Sequence, residues 1–132
     1  MTLKEISRYY ELRQRLTRYN EALLALRTAA ENITSKLDGM PPSPGHGDRT
    51  AHYGGLIAQL EIDIEKNNEE LREARREAQD FISKIEDGYI KTIFNLRFIA
   101  CLSWSEVAEA MGRGKGAADS LRVACYRYLE KG

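Results

Sequence analysis

Apolar residues recur in the first third of the chain at alternating intervals of three and four. Leu12, Leu16, Tyr19, Leu23, Leu26, Ala30, Ile33 and Leu37 are spaced 4-3-4-3-4-3-4, and Tyr9 extends the series backward by three. Residues at this spacing share one face of a helix, and the intervening Arg, Glu, Gln and Asn side chains face water. The pattern predicts one long helix over residues 3–37, uninterrupted by proline and roughly 50 Å long. A second series follows: Ile57, Leu60, Ile64, Asn67, Leu71, Ala74, Ala78, Phe81 and Ile85. It predicts a second helix over about residues 51–86, weakened in its first turns by Gly54 and Gly55.

Between the two series lies a stretch that cannot continue a helix. It starts at Asp38-Gly39 and holds all three prolines, Pro41, Pro42 and Pro44. Proline removes backbone donors and glycine frees the backbone, so residues 38–50 are expected to form a loop that reverses the chain. Neither helix can bury its stripe alone, so the two are expected to pair as a long antiparallel hairpin, coiled-coil-like in character. Pairing within one chain and pairing between two chains both satisfy the pattern. Asn67 on the seam either fixes register or faces a wet gap.

The pattern changes after Glu86-Asp87-Gly88. Tyr89, Ile90, Ile93, Phe94, Leu96, Phe98 and Ile99 form a short, dense apolar run, the mark of a compact unit rather than a coil. Ser103-Trp104-Ser105-Glu106 reads as a capping box that opens a new helix over 104–111. Trp104, Val107, Ala108 and Met111 share one face of it. Gly112 sits where a turn needs positive φ. A final helix over 115–131 places Ala118, Leu121, Cys125, Tyr128 and Leu129 inward. A short helix, a glycine turn and a second amphipathic helix make a helix-turn-helix. The expected division is therefore a hairpin over 1–86, serving dimerisation or docking, and a helix-turn-helix module over 87–132. The fold class is all-α.

That geometry supplies candidate DNA contacts. The second helix of such a motif fills the major groove, with its N-terminal half toward the base edges. Lys115, Ala117, Asp119, Ser120 and Arg122 are the candidate readers: Lys115 toward guanine or phosphate, Ser120 toward either base type, Asp119 toward a cytosine amine. Arg113, Arg122 and Arg127 are expected to meet phosphates, which position a protein without specifying sequence. The run Gly112-Arg113-Gly114-Lys115-Gly116 is expected to offer backbone N–H groups to phosphate oxygens.

Charge adds little. The chain carries 20 basic and 20 acidic residues, so no global field favours nucleic acid. Residues 87–132 hold seven Lys/Arg against five Asp/Glu. Arg72, Arg75 and Arg76 cluster on the second helix among Glu73 and Glu77, as a solvated face would. Cys101 and Cys125 are expected to be free thiols used as small apolar residues. His46 and His52 lack the spacing and partners of a metal site. There is no phosphate-loop motif, no nucleophile elbow and no catalytic Ser/His/Asp set, so neither enzyme nor cofactor is expected. No apolar run approaches the ~18 residues of a membrane span, and no secretory signal opens the chain. Membrane association is not expected, and a cytoplasmic location in a bacterial host is.

The stretch Leu96-Arg97-Phe98 through Ser103-Trp104-Ser105-Glu106-Val107-Ala108-Glu109-Ala110-Met111-Gly112 resembles the C-terminal, region-four DNA-binding part of bacterial sigma factors. Over its whole length the chain resembles small phage-encoded transcription regulators of the RinA/ArpU type, which place a long helical part before a sigma-like helix-turn-helix. The resemblance implies transcriptional control in phage or prophage, with double-stranded DNA as partner and RNA polymerase contact in addition. It departs from the sigma pattern at Gly116, Ala117 and Asp119. Asp119 stands where an arginine is expected, so the sigma promoter preference does not carry over. A homodimer through the N-terminal helices is a further expectation. The competing reading is a non-enzymatic interaction or scaffold protein of phage whose sigma-like module binds protein; Ala117, Asp119 and the zero net charge favour it.

Overall fold

A computed structural model describes residues 1–37 and 46–131, without the side chains of 34–37 and 46–48. Among the described residues there are five α-helices: α1 (Leu3–Leu37), α2 (His46–Ser83), α3 (Gly88–Phe94), α4 (Trp104–Ala110) and α5 (Ala118–Lys131). A π-helical turn, Asn95–Ile99, extends α3, and a 3-10 turn, Lys115–Ala117, precedes α5. No strand occurs among the described residues. The protein is all-α, with α1 and α2 packed as a hairpin ahead of the shorter helices. No helix among the described residues is long and apolar enough to cross a membrane.

The second helix begins earlier than its pattern predicts. Residues 46–50, expected as part of the loop, are the first turn of α2. The helix continues through Gly54 and Gly55, each a cost of about 1 kcal/mol relative to alanine. The proline-bearing part of the expected loop, 38–45, lies outside the described residues.

The chain divides into two compact units, Gln14–Glu69 and Met1–Arg13 with Glu70–Gly132. This division cuts across both long helices, whereas the sequence pattern changes between 86 and 87. In Gln14–Glu69 the α1 seam residues Leu16, Tyr19, Leu23, Leu26, Ala30 and Ile33 are all half-buried, as are Ile57, Leu60 and Ile64 of α2. The predicted faces hold, but none of these side chains is fully enclosed. Asn67 is the only buried residue described in this unit. Arg27 and Glu61 pair at 2.8 Å between the two arms, which run antiparallel. Both are more than half exposed, so the pair contributes little stability.

The other unit holds the core. Ile6 of α1, Ala78 and Ile82 of α2, and Ile85 just beyond its end pack with Ile93, Phe94, Phe98, Val107, Ala108, Leu121 and Cys125. Phe94 is the hub: its ring lies 6.1 Å from Phe81, 5.3 Å from Phe98 and 5.6 Å from Tyr128. A smaller cluster joins Tyr9, Leu12 and Ala74 to Leu71 and Cys101. Both cysteines are free thiols. Burial pushes the Cys125 thiol up to about 12, so it serves as a neutral apolar filler.

Candidate nucleic-acid interface

Local chemistry sets each helix boundary in the C-terminal region. Asp87, read from sequence only as a breaker, caps α3: its carboxylate accepts from the backbone N–H of Tyr89 at 2.9 Å and Ile90 at 3.3 Å. The helix then widens into the π turn, where the Ala100 N–H donates back to Asn95. It ends at Cys101, whose φ of 61° is left-handed and disfavoured for any residue with a Cβ. Packing of Cys101 in the Tyr9–Leu12–Ala74 cluster holds it there. Arg97 clamps the same junction. Its guanidinium lies 4.5 Å from the Tyr10 ring and 5.1 Å from the Trp104 ring, and donates to the Leu102 carbonyl at 2.8 Å.

Ser103 then starts α4 through the predicted capping box. The Glu106 N–H donates to Ser103 Oγ at 3.2 Å, and the Ser103 N–H to Glu106 Oε1 at 3.1 Å. The bond from the Ser103 backbone, and then the one involving its side chain, holds the Glu106 carboxyl below its usual range. Gly112 takes φ 75° and turns the chain. Val107 and Ala108 are fully buried under α5, with Trp104 and Met111 at the edges.

Most, but not all, of the candidate DNA-binding residues reach solvent. The first turn expected of the last helix is instead the separate 3-10 turn, so Ala117 is half-buried against the core. Its methyl group is only partly exposed. Lys115 is exposed and lies 3.6 Å from Glu109 of α4. Arg113 donates to the Tyr89 hydroxyl at 3.1 Å. Arg122 pairs with Asp119 at 3.1 Å, one turn apart on α5. The N–H groups of Gly112 and Arg113 are taken by the Glu109 and Ala108 carbonyls. Of the glycine-rich run, only the donors that open the 3-10 turn keep the orphan character of a helix start.

Asp119, Ser120 and Arg127 are brought together. With Val123 and Ala124 they line a shallow depression of about 350 Å³ on the outer face of α5. Val123, 39% exposed, lies directly opposite the buried Leu121 and Cys125 on the helix. It was not among the sequence candidates, although helical spacing from those two residues marks it as the centre of the outward face. Arg127 makes no ion pair among the described residues. The face thus combines one unpaired cation, a hydroxyl, an internally paired carboxylate and an apolar centre.

Away from this face, two of the α2 arginines are engaged within the fold. Arg75 lies over the Tyr9 ring at 5.9 Å, and Arg76 pairs with Glu73. No protein family, no curated protein and no solved structure matches this chain.

Proposed function

We propose that the protein is a non-enzymatic DNA-binding regulator of transcription, of phage or prophage origin, acting by occupancy of a promoter or operator from the bacterial cytoplasm. The observation that carries the reading is the outer face of α5. Ser120, Val123 and Arg127 stand together on a helix whose opposite side is locked into a core, behind a capped α4 and a glycine turn. In this reading Ser120 reads base edges and Arg127 meets phosphate. Lys115 and Arg122 exchange their exposed carboxylate partners for phosphate, because such surface pairs hold only about 1 kcal/mol or less. RNA polymerase is the additional partner.

A protein-binding role for the same module is the second reading. Asp119 and Val123 on the outward face favour it, since a carboxylate repels phosphate and an exposed valine suits a protein contact. A gel-shift titration on the protein's own upstream region and on an unrelated duplex, at two salt concentrations, separates the two. A DNA-binding regulator binds its own region more tightly, and binding weakens steeply with salt as neutralised phosphates release counterions. Arg122→Ala then lowers affinity for every duplex, and Ser120→Ala changes the preference between them. Absence of binding to either duplex at low salt overturns the DNA reading.

A further inference from the structure

We propose that Arg13, Arg72 and Arg75, at the base of the hairpin, form a second contact for backbone phosphates of the duplex that α5 occupies. This contact rests on the DNA reading of α5 and extends it to a surface which that reading leaves unused. All the residues concerned lie in the unit that holds the core.

The two flanks of α2 differ in charge. Between Glu70 and Ser83 the buried row is Ala74, Ala78 and Ile82. On one flank, Glu70, Glu73, Glu77 and Asp80 recur at helical spacing. Glu70, Glu73 and Asp80 pair with Arg8, Arg76 and Lys84. The other flank of this stretch carries Arg72, Arg75 and Gln79 and no carboxylate. Arg72 and Arg75 are exposed, and neither forms an ion pair among the described residues.

The first helix and the π turn add to the positive flank. Arg13 of α1 and Arg75 of α2 each lie 5.9 Å from the Tyr9 ring. Cys101 packs against the same tyrosine. Burial raises the Cys101 thiol above its ordinary value, and Arg13, Arg97 and Arg75 each pull it back, so three guanidinium fields meet there. A guanidinium held beside a ring keeps in-plane N–H donors, and their fork matches a phosphate.

The patch is continuous with the α5 interface. Arg97 reaches from Tyr10 to Trp104, whose ring lies 6.4 Å from that of Tyr126. Tyr126 stands one helical turn beyond Arg122 and Val123 on α5. Cations and rings thus follow one another from the edge of the α5 outer face to the hairpin base. Charge complementarity selects the occupant. Exposed guanidiniums on a flank without carboxylates, beside a helix set to enter a groove, match the phosphates that border that groove.

The test is a gel-shift titration of the full chain on its own upstream region and on an unrelated duplex, across a salt series, with circular dichroism and urea melts on every variant. Arg13→Gln, Arg72→Gln and Arg75→Gln each weaken binding to both duplexes by the same factor and leave the preference between them unchanged. Each lowers the slope of log affinity against log salt by about one. Arg75→Lys keeps the charge and restores the slope. Arg76→Gln, at a guanidinium paired with Glu73, keeps the wild-type slope. The slope separates phosphate contact from a structural role, because a variant that merely loosens the packing of Tyr9 loses affinity without changing the number of counterions released. A wild-type slope in both Arg72→Gln and Arg75→Gln overturns the second contact and leaves the α5 reading standing. Absence of wild-type binding to either duplex at low salt overturns the α5 reading, and the second contact falls with it.

Discussion

Residues 14–69 and the unit formed by 1–13 with 70–131 show the same three-and-four spacing along their long helices and reach different burial. In the first, Leu16, Tyr19, Leu23 and Leu26 each keep a partly exposed side chain. In the second, Ile6, Tyr9 and Leu12, on the same helix, are buried. The periodicity is continuous from one to the other. What changes is the number of neighbours: the second unit adds three short helices with Phe94, Phe98 and Leu121, and the arm adds nothing. Spacing fixes which face of a helix turns inward, while depth of burial depends on what else the chain brings to that face.

Substitution at the hub gives the largest separation between the regions. Phe94→Ala removes a ring in contact with three other aromatic rings and leaves a cavity in a fully buried site. It is expected to cost about 3–5 kcal/mol in urea unfolding and to remove the C-terminal unit's cooperative transition. Arg97→Met follows, at about 2 kcal/mol, because the cation sits between two rings and also satisfies a carbonyl. Its near-ultraviolet circular dichroism should change with the Trp104 environment. Leu16→Ala, on the half-buried seam, is expected to cost about 1 kcal/mol. A cost at Leu16 equal to that at Phe94 would show the arm to be as tightly packed as the core, and the contrast would collapse.

These contrasts mark what was readable before the structure. Helix faces, the Ser103–Glu106 capping box and the positive φ of Gly112 follow from local rules, because a cap or a glycine turn needs only neighbours in sequence. The π turn and left-handed Cys101 did not follow. Cys101 packs against Tyr9, Leu12 and Ala74, far along the chain, and no local preference signals either feature. The role of Arg97 as a clamp did not follow either, since only the tertiary fold brings both Tyr10 and Trp104 to its guanidinium. On the candidate interface, the outward placement of Ser120 and Arg127 was legible from the inward set Leu121 and Cys125. The half-burial of Ala117 was not legible, because the 3-10 turn changes the rotation per residue just before α5.

The smallest expected effect tests the locally encoded end of this contrast, at the capping box. Glu106 bonds the Ser103 N–H from the first turn of α4, and this lowers its carboxyl below the ordinary value of 4.5. A carboxyl whose folded value is depressed contributes stability at pH above its unfolded value. That contribution fades as pH falls below 4.5 and through the lower folded value. Glu106→Gln keeps the reach-back geometry and removes the charge, so it isolates this part. The urea midpoint of the variant should lie below that of the wild type near neutrality, and the two should converge once the pH is well under 4.5. Ser103→Ala removes the hydroxyl acceptor, and its cost of about 1 kcal/mol should persist at both pH values in larger part. If the Glu106→Gln difference is instead independent of pH, the carboxylate charge is not what the cap uses, and the stability of α4 rests on Val107 and Ala108 in the core rather than on its own first turn.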